Sequence, residues 1–446
     1  MVHTIGLQEK YRLFDIKKQL MITKKKARCC LSRKFTLFAW SLCIGASAFA
    51  EATSEGILAT SPLSQLTHEF TLENGLKLIV RENHRAPVVI FQIWYRVGSA
   101  DEPVYQTGLS HVLEHMMFKG TQKVPTGQSS KLIAEYGGEE NAFTAHDYTV
   151  YYQYWDASRL PISFELEADR MQNLIFPEEE FKKEMKVVME ERRLRVDDSP
   201  DGTAYERFSS VAHTSNPLHN PVIGWMHDLE KLSLDEAKRW YQLWYAPNNA
   251  TIVVVGDVNP EETLALAKRY FGQIPAKTLP RRDVPREVAS LGERRLAVQV
   301  NSKLPTLYMG FNVPSLVTAK DPLDAYTLEL ILSVLDGGFS ARFETQLIRR
   351  QKIAASISSG YSAFDRGDTL FIIRGLPNQT HSIAQLESAI WQILGQLKNE
   401  PISPDEMERV KAQLISERVY KMDTIQGQAT ELGALASVGL DWRLSE

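Results

Sequence analysis

The predicted strands and helices occur in the same order twice along the chain, and this repeat limits the fold more than any other feature. In each half, runs of apolar or alternating residues predict a strand hairpin, and segments with helical spacing follow it. The predicted strands include residues 76–80 and 88–95 in the first half, and 297–300 and 306–311 in the second. Because hairpins precede helices, we expect mixed or antiparallel sheets with helices packed on one face. The expected fold class is α+β, with two homologous domains.

A polar, proline-bearing segment without helical or strand periodicity separates the two halves, at residues 274–292. A chain of 446 residues is long enough for two domains of average size. We therefore predict an N-terminal domain over residues 65–273, a linker over 274–292 and a C-terminal domain over 293–446.

The first 50 residues have the pattern of a secretory signal peptide. They carry ten Lys or Arg and two acidic residues, and the uncharged stretch 35–50 ends in Ala48-Phe49-Ala50. We predict a signal peptide over residues 1–50, with Met21 as an alternative start, and a flexible mature N-terminus over 51–64. The predicted location is the periplasm, and association with a membrane surface is left open. An uncleaved anchor helix is the alternative, although a membrane span needs about 20 apolar residues.

Charge and cysteine content exclude several classes of function. Beyond residue 50 the chain has 41 basic and 53 acidic residues, whereas nucleic-acid binding needs a basic face, so no nucleic-acid partner is expected. The three cysteines, Cys29, Cys30 and Cys43, all lie within the predicted signal peptide. The mature chain would then have no disulfide framework, thiolate nucleophile or cysteine-type zinc site. A metal ion would have to be bound by histidine and carboxylate.

The segment from His111 to His115 has the spacing of a metal-binding helix. Residues four apart lie on one face of a helix, so both imidazoles can reach a single cation. Catalytic zinc binds His and carboxylate ligands and keeps one position for water. Glu114 would lie beside that water and could act as the general base. This is the inverted form of the H-E-x-x-H motif, and the alternative is a surface helix with solvated His and Glu side chains.

A third ligand is expected from the helix predicted over residues 177–195. Glu184 and Glu191 share one stripe of this helix with apolar residues, and a buried carboxylate is costly unless it is paired or bound to a cation. Glu191 is the predicted ligand, because Glu190 lies about 100° away around the helix. Glu184 is predicted to support a ligand or to orient the water. The alternative for both residues is an ion pair with Lys or Arg.

These motifs resemble those of the pitrilysin/insulinase-type zinc metallopeptidases, most closely the short bacterial relatives of the mitochondrial processing peptidase. His-x-x-Glu-His at residues 111–115, followed about 75 residues later by Glu191, is similar to that family's signature, and Glu184 matches its additional acidic position. The segment from Asn141 to Thr144 resembles the family's strand beside the active site. There an asparagine contacts the substrate backbone, which implies this role for Asn141. The alternative for Asn141 is a turn residue.

The resemblance covers about residues 65 to 446, and it implies a fold and an activity. It implies two homologous domains that close as a clamshell, one zinc ion per chain, and hydrolysis of short, unstructured peptides with Glu114 as general base. Part of the peptide would bind by strand addition to an exposed sheet edge. The alternative function is a non-catalytic, structural subunit of a peptidase-like heteromeric assembly.

The resemblance also implies a partner subunit. The family's site uses an Arg and a Tyr from a C-terminal-type domain; Arg349 matches the Arg and would bind substrate, whereas the Tyr position is Ala355. This incomplete pair implies a heterodimer with a homologous subunit that supplies both residues, with a homodimer as the alternative. The chain also ends before the family's last helix and strand, so we expect the second domain to be truncated.

Overall fold

The computed structural model describes residues 2–5, 66–289 and 292–445. Within these ranges the strands form two mixed sheets that helices cover, and the predicted α+β class with two domains is confirmed. The strands, numbered along the chain, are β1 (Val2–Ile5), β2 (Thr67–Thr71), β3 (Lys77–Glu82), β4 (Val88–Tyr95), β5 (Glu139–Thr144), β6 (Thr149–Asp156), β7 (Ala250–Gly256), β8 (Arg294–Leu296), β9 (Leu307–Val313), β10 (Ala354–Gly360) and β11 (Thr369–Pro377).

The α-helices lie between and around these strands. They are α1 (Leu109–Met117), α2 (Gln128–Glu135), α3 (Leu160–Asn173), α4 (Glu178–Arg192), α5 (Pro200–Ala212), α6 (Met226–Leu229), α7 (Leu234–Trp244), α8 (Pro260–Phe271), α9 (Pro322–Asp336), α10 (Ile383–Asn399), α11 (Pro404–Asp423) and α12 (Ile425–Ser437). Within the described residues, two segments are π-helical, Arg193–Asp197 and Phe343–Arg350. None of the helices in the described ranges combines the length and the apolar character that a membrane span requires.

The first sheet has the strand order β2-β3-β7-β4-β6-β5, with β3 and β7 parallel and the other neighbours antiparallel. Its central strands are rich in β-branched residues and almost entirely buried, as expected of strands covered on both faces. One face packs on α1, α3, α4, α7 and α8 in a single apolar core. Strand β5 forms an edge of this sheet, and α1 lies against it.

The second sheet has the order β10-β11-β9-β1-β8, and α9 and α10 pack on one of its faces. Strand β1 pairs antiparallel to β8 and parallel to β9, although the sequence analysis placed its residues in a signal peptide. The rest of the predicted signal, the predicted N-terminus 51–64 and residue 65 lie outside the described residues. The strand predicted at residues 297–300 is wrong: the strand is at Arg294–Leu296 instead.

Each half of the chain contributes one helix that packs on the sheet of the other half. Helix α12, near the C-terminus, packs on β4 and β7 of the first sheet, on the face opposite α1. Helix α5, from the first half, packs on the second sheet, where Phe208 stacks on Tyr308 at 5.4 Å between ring centroids. Neither helix was predicted from the sequence, and helices were expected on one face of each sheet only. The first sheet is therefore covered on both faces, and part of its core comes from the end of the chain.

The close approach of α12 to the first sheet predicts a large effect from a single methyl group. A Cβ atom at Gly433 would lie 2.1 Å from Cε2 of the buried Trp94 indole, so Gly433→Ala is expected to lower the free energy of unfolding by about 1–3 kcal/mol. Gly395→Ala in α10 is the matched control, because its Cβ would meet no atom within 4 Å. That control should stabilise by about 0.5–1 kcal/mol. Urea unfolding measures both, and equal effects would contradict this packing.

Candidate metal centre

The start of α1 is fixed by a glycine and a half-buried carboxylate. Gly108 precedes the helix with φ 87°, and a Cβ there would lie 2.6 Å from the carbonyl oxygen of Ile223. The backbone N–H groups of Gly108 and Ser110 donate to Glu102, at 2.8 and 2.7 Å. These are N–H groups that a helix start leaves without an internal partner. Burial raises the pKa of Glu102 to about 8, although the two hydrogen bonds oppose this rise.

Helix α1 presents both histidines of the motif to the C-terminal end of α4. His111 Nε2 lies 3.8 Å from one carboxylate oxygen of Glu191, and His115 Nε2 lies 3.4 Å from the other. One ligand atom from each of these three residues lies within 4.8 Å of the other two. A tetrahedral zinc site with bonds of about 2.0–2.2 Å places its ligand atoms about 3.3–3.6 Å apart. The three residues therefore fit one zinc ion after small side-chain movements.

The electrostatic surroundings of the two histidines differ. Burial, with smaller contributions from His115 and Arg195, lowers the pKa of His111 to about 3, so its imidazole is neutral, the form that binds metal. Burial also lowers the pKa of His115, but the hydrogen bond with Glu184 and the nearby carboxylates outweigh it and raise the pKa overall.

Glu184 connects His115 to a lysine just beyond α1. One oxygen of Glu184 lies 3.0 Å from His115 Nδ1, and the other lies 2.6 Å from Lys119 Nζ. Burial raises the pKa of Glu184, but the hydrogen bonds with His115 and Lys119 lower it overall. A carboxylate that accepts from Nδ1 leaves Nε2 free for a metal, and it fixes the orientation of the ring. The contact with Lys119 is the ion pair considered as the alternative for Glu184, and both contacts occur together.

Glu191 also has a basic neighbour. Arg195 Nη1 lies 2.8 Å from Oε1 of Glu191, and the Arg195 side chain is 72% exposed. Arg195 belongs to the π-helical turn that follows α4, where the sequence analysis expected one continuous helix to residue 195. Glu190 points away from the histidines, as predicted, and pairs with Arg193 at 2.9 Å.

Glu114 lies on the same helix as the two histidines, and its side chain is buried. Thr144 Oγ1, at the end of β5, donates a hydrogen bond of 2.5 Å to Glu114 Oε2. Burial raises the pKa of Glu114, and the hydrogen bond from Thr144 opposes this rise. Thr144 belongs to a segment that resembles the family's strand beside the active site, but no role was predicted for it. Nothing in the sequence indicates that the Thr144 hydroxyl, three residues beyond Asn141, reaches α1.

The two remaining predicted site residues, Asn141 and Arg349, lie in different domains. Asn141 is exposed on β5, and its side-chain oxygen accepts from the N–H of Ala142 at 2.8 Å. Arg349 lies in the π-helical segment of the second domain, with its guanidinium 4.1 Å from the Phe339 ring centroid and 3.5 Å from Glu344. These described contacts of Arg349 do not join it to the histidines, and its role stays a prediction.

The contact between Lys119 and Glu184 predicts weaker zinc binding when the lysine is removed. Lys119→Met is expected to raise the zinc Kd by about 10–100-fold, because Glu184 would lose the cation that holds it beside His115. Lys123→Met is the matched control, since Lys123 pairs with the exposed Glu165. Competition with a chromophoric chelator at pH 7 measures each Kd. Equal Kd values for the two variants would contradict a supporting role for Glu184.

Comparison with known proteins identifies the class that this fold and site define. Residues 77–225 match the family model described as insulinase (peptidase family M16), and residues 231–414 match the model described as peptidase M16 inactive domain. The chain belongs to peptidase family M16. The family predicted from the sequence is thereby confirmed.

Individual relatives extend this result. The chain is 33% identical over 348 residues to zinc protease PqqE of Helicobacter pylori, covering 76% of this chain and 77% of that protein. It superposes on the crystal structure of a protease from Helicobacter pylori with a TM-score of 0.79 and 27% identity, covering 85% of this chain and 92% of the other. The periplasmic protease PqqL of Escherichia coli has a TM-score of 0.69 at 18% identity, covering 87% of this chain and 45% of PqqL, and shows likeness of fold alone.

Proposed function

We propose that this chain is an exported, zinc-dependent peptidase that hydrolyses short, unstructured peptides. The observation that supports it most is that His111 and His115, on the helix that carries Glu114, converge with Glu191 of α4, with ligand atoms within 4.8 Å of one another. The relative PqqE is named a zinc protease, which agrees with both the metal and the reaction class.

The proposed mechanism assigns one role to each residue of the centre. His111, His115 and Glu191 would hold the ion, and Glu184 would fix the ring of His115. A bound zinc ion would polarise the scissile carbonyl and lower the pKa of water. Glu114 accepts the proton of the attacking water on the carboxylate oxygen that Thr144 does not bind. It then returns this proton to the nitrogen of the leaving amine.

The proposed substrate class follows from the edge of the first sheet. Strand β5 pairs with β6, and within the described residues its other side has no neighbouring strand. An extended peptide can add to such an edge through main-chain hydrogen bonds, whereas most main-chain groups of a folded protein are already paired internally. Asn141, exposed on this strand, is proposed to contact the peptide backbone.

The proposed location and partner rest on the sequence and on the relatives. The pattern of residues 1–50 supports export, and PqqL, whose fold this chain shares, is named a periplasmic protease. A homologous subunit is proposed to supply the Arg and Tyr, because Ala355 stands at the Tyr position and Arg349 contacts Phe339 and Glu344. The alternative function is a structural subunit without activity.

A metal-replacement assay tests the proposed function. Purified chain carrying one equivalent of zinc should cleave a mixture of unstructured peptides, lose this activity on chelation, and regain it when zinc is restored. The same samples should leave a folded protein of similar composition intact. The assay is run with the chain alone and with a homologous subunit that has the Arg and Tyr. Zinc-loaded chain that cleaves nothing under either condition would favour the structural alternative.

A further inference from the structure

The hydroxyl of Thr144 is the described hydrogen-bond donor to Glu114, and it belongs to a different element. Glu114 is on α1, whereas Thr144 ends β5, thirty residues along the chain. A glutamate side chain has three rotatable bonds, and a single strong donor on one oxygen selects one orientation. The orientation of Glu114 therefore depends on where β5 ends.

The end of β5 is held by the hairpin that joins it to β6. Thr144 pairs with Thr149, and the tip between them receives hydrogen bonds from the N–H groups of Ser99 and Ala100. Gly98 permits this contact, because a Cβ there would lie 2.3 Å from the carbonyl oxygen of Ala145. The hairpin tip thus packs against the loop that leads into α1.

The second domain fixes the same hairpin tip. Arg366, between β10 and β11, donates from its backbone N–H and its Nε to the two carboxylate oxygens of Asp147, at 2.9 and 3.0 Å. Its Nη1 donates to Asp101 at 2.8 Å. Arg282 donates to the Asp147 carbonyl oxygen at 2.8 Å and to Asp101 at 3.0 Å. Arg366 and Asp147 are each 5% exposed, so this ion cluster is a buried contact between the domains.

We propose that Thr144 is a positioning residue for Glu114 and that the second domain holds Thr144 in place through Arg366. The chain of contacts runs from Arg366 to Asp147 at the hairpin tip, from the tip to Thr144, and from Thr144 to Glu114. The orientation of the general base then depends on contact between the two domains. This inference deepens the proposed function and rests on it, because it assigns Thr144 a role in the same reaction.

Two substitutions at Thr144 test the first link. Thr144→Val keeps the shape and removes the donor, so kcat should fall about 10–100-fold with KM changed less than about twofold. Thr144→Ser keeps the donor and should restore kcat to within about threefold of the wild-type value. Thr149→Val is the matched control: it removes a buried hydroxyl that donates to the Val97 carbonyl oxygen, in the same hairpin. Equal losses of kcat in the two valine variants would overturn the proposal.

A double-mutant cycle tests the second link. Arg366→Lys keeps the charge but loses the planar fork that reaches both Asp147 and Asp101, so it should lower kcat in the wild-type background. In the Thr144→Val background Arg366→Lys should lower kcat little further, because the hydrogen bond from residue 144 to Glu114 is already absent. Additive effects on kcat, or no effect of Arg366→Lys alone, would overturn the role of the second domain. Thermal unfolding of each variant identifies losses that come from instability.

Crystal structures of the zinc-free wild type and the zinc-free Thr144→Val variant provide a readout that does not need activity. In the wild type Glu114 Oε2 should lie within hydrogen-bond distance of Thr144 Oγ1, and in the variant the carboxylate should turn away or occupy several rotamers. An unchanged Glu114 rotamer in the variant would overturn the positioning role. If the wild type cleaves no peptide, either alone or with the homologous subunit, the proposed function fails, while this comparison still decides whether Thr144 orients Glu114.

Discussion

Glu114→Gln is expected to lower kcat for peptide hydrolysis by about 10²–10⁴-fold while zinc stays bound at one ion per chain. The amide has the same size as the carboxylate and can still accept the hydrogen bond from Thr144, but it cannot take a proton from water. The ligand atoms of His111, His115 and Glu191 are unchanged by this substitution. Steady-state kinetics on an unstructured peptide and metal analysis of the same sample measure both quantities.

The control for this experiment is Glu135→Gln, an exposed carboxylate near the end of α2. It makes the same chemical change away from the metal centre, so its kcat and zinc content should equal those of the wild type. A Glu114→Gln variant that keeps its zinc and still cleaves the peptide at the wild-type rate would exclude Glu114 as the general base. Loss of zinc in this variant would contradict the assignment of the three ligands, because Glu114 is not one of them.

Glu191→Gln is expected to raise the zinc Kd by at least about 100-fold, more than the loss of a supporting partner such as Lys119. The uncharged amide oxygen is a weaker zinc ligand than a carboxylate oxygen, and two neutral histidines alone make a poor zinc site. Zinc should also raise the Tm of the wild type, because it binds the folded state, and should do so far less for the variant. Chelator competition and thermal unfolding with and without zinc measure the two effects.

Glu190→Gln is the matched control for this prediction. It lies one residue earlier on α4, is 60% exposed and pairs with Arg193, so its zinc affinity should equal that of the wild type. If both variants bind zinc as the wild type does, Glu191 is not a ligand, and its contact with Arg195 would be an ordinary ion pair. If only Glu190→Gln loses zinc, the orientation of α4 described above is wrong.

The grouping of the histidines with Glu191 could be predicted because its main constraints are local. The four-residue spacing of His111 and His115 requires only a helix, and α1 is one. The stripe that contains Glu184 and Glu191 required only that α4 be helical and bury its apolar side, which it does. These carboxylates could be located from the periodicity of one element, without knowledge of how the domains meet.

The partners of these residues could not be predicted, because they come from tertiary packing. Thr144 reaches Glu114 from another strand, and Arg366 reaches the hairpin tip from another domain, 219 residues from Asp147. The position of Arg195 depends on the change from α-helical to π-helical backbone after α4, which hydrophobic spacing does not reveal. Lys119 lies beyond the last residue of α1, where helical periodicity no longer fixes the direction of a side chain.

The same reason explains the errors in the fold. Helix α12 is apolar on the side that packs on the first sheet, but its sequence does not say which sheet it covers. Strand β1 joins the second sheet by pairing with β8 and β9, and its four residues lie in a segment whose composition indicates a signal peptide. Pairing over such long sequence separations is decided by the whole fold. Local patterns therefore predicted most strands and helices, but not α5, α12 or the packing of each on the sheet of the other half.

The central claim is that one zinc ion lies between two histidines and a carboxylate from a separate helix. Anomalous diffraction recorded on both sides of the zinc absorption edge, from crystals of the zinc-loaded protein, tests it most directly. We expect a single strong peak at about 2.0–2.2 Å from Nε2 of His111, Nε2 of His115 and a carboxylate oxygen of Glu191. No peak at this position in crystals that contain zinc, or a peak bound by other residues, would contradict the account.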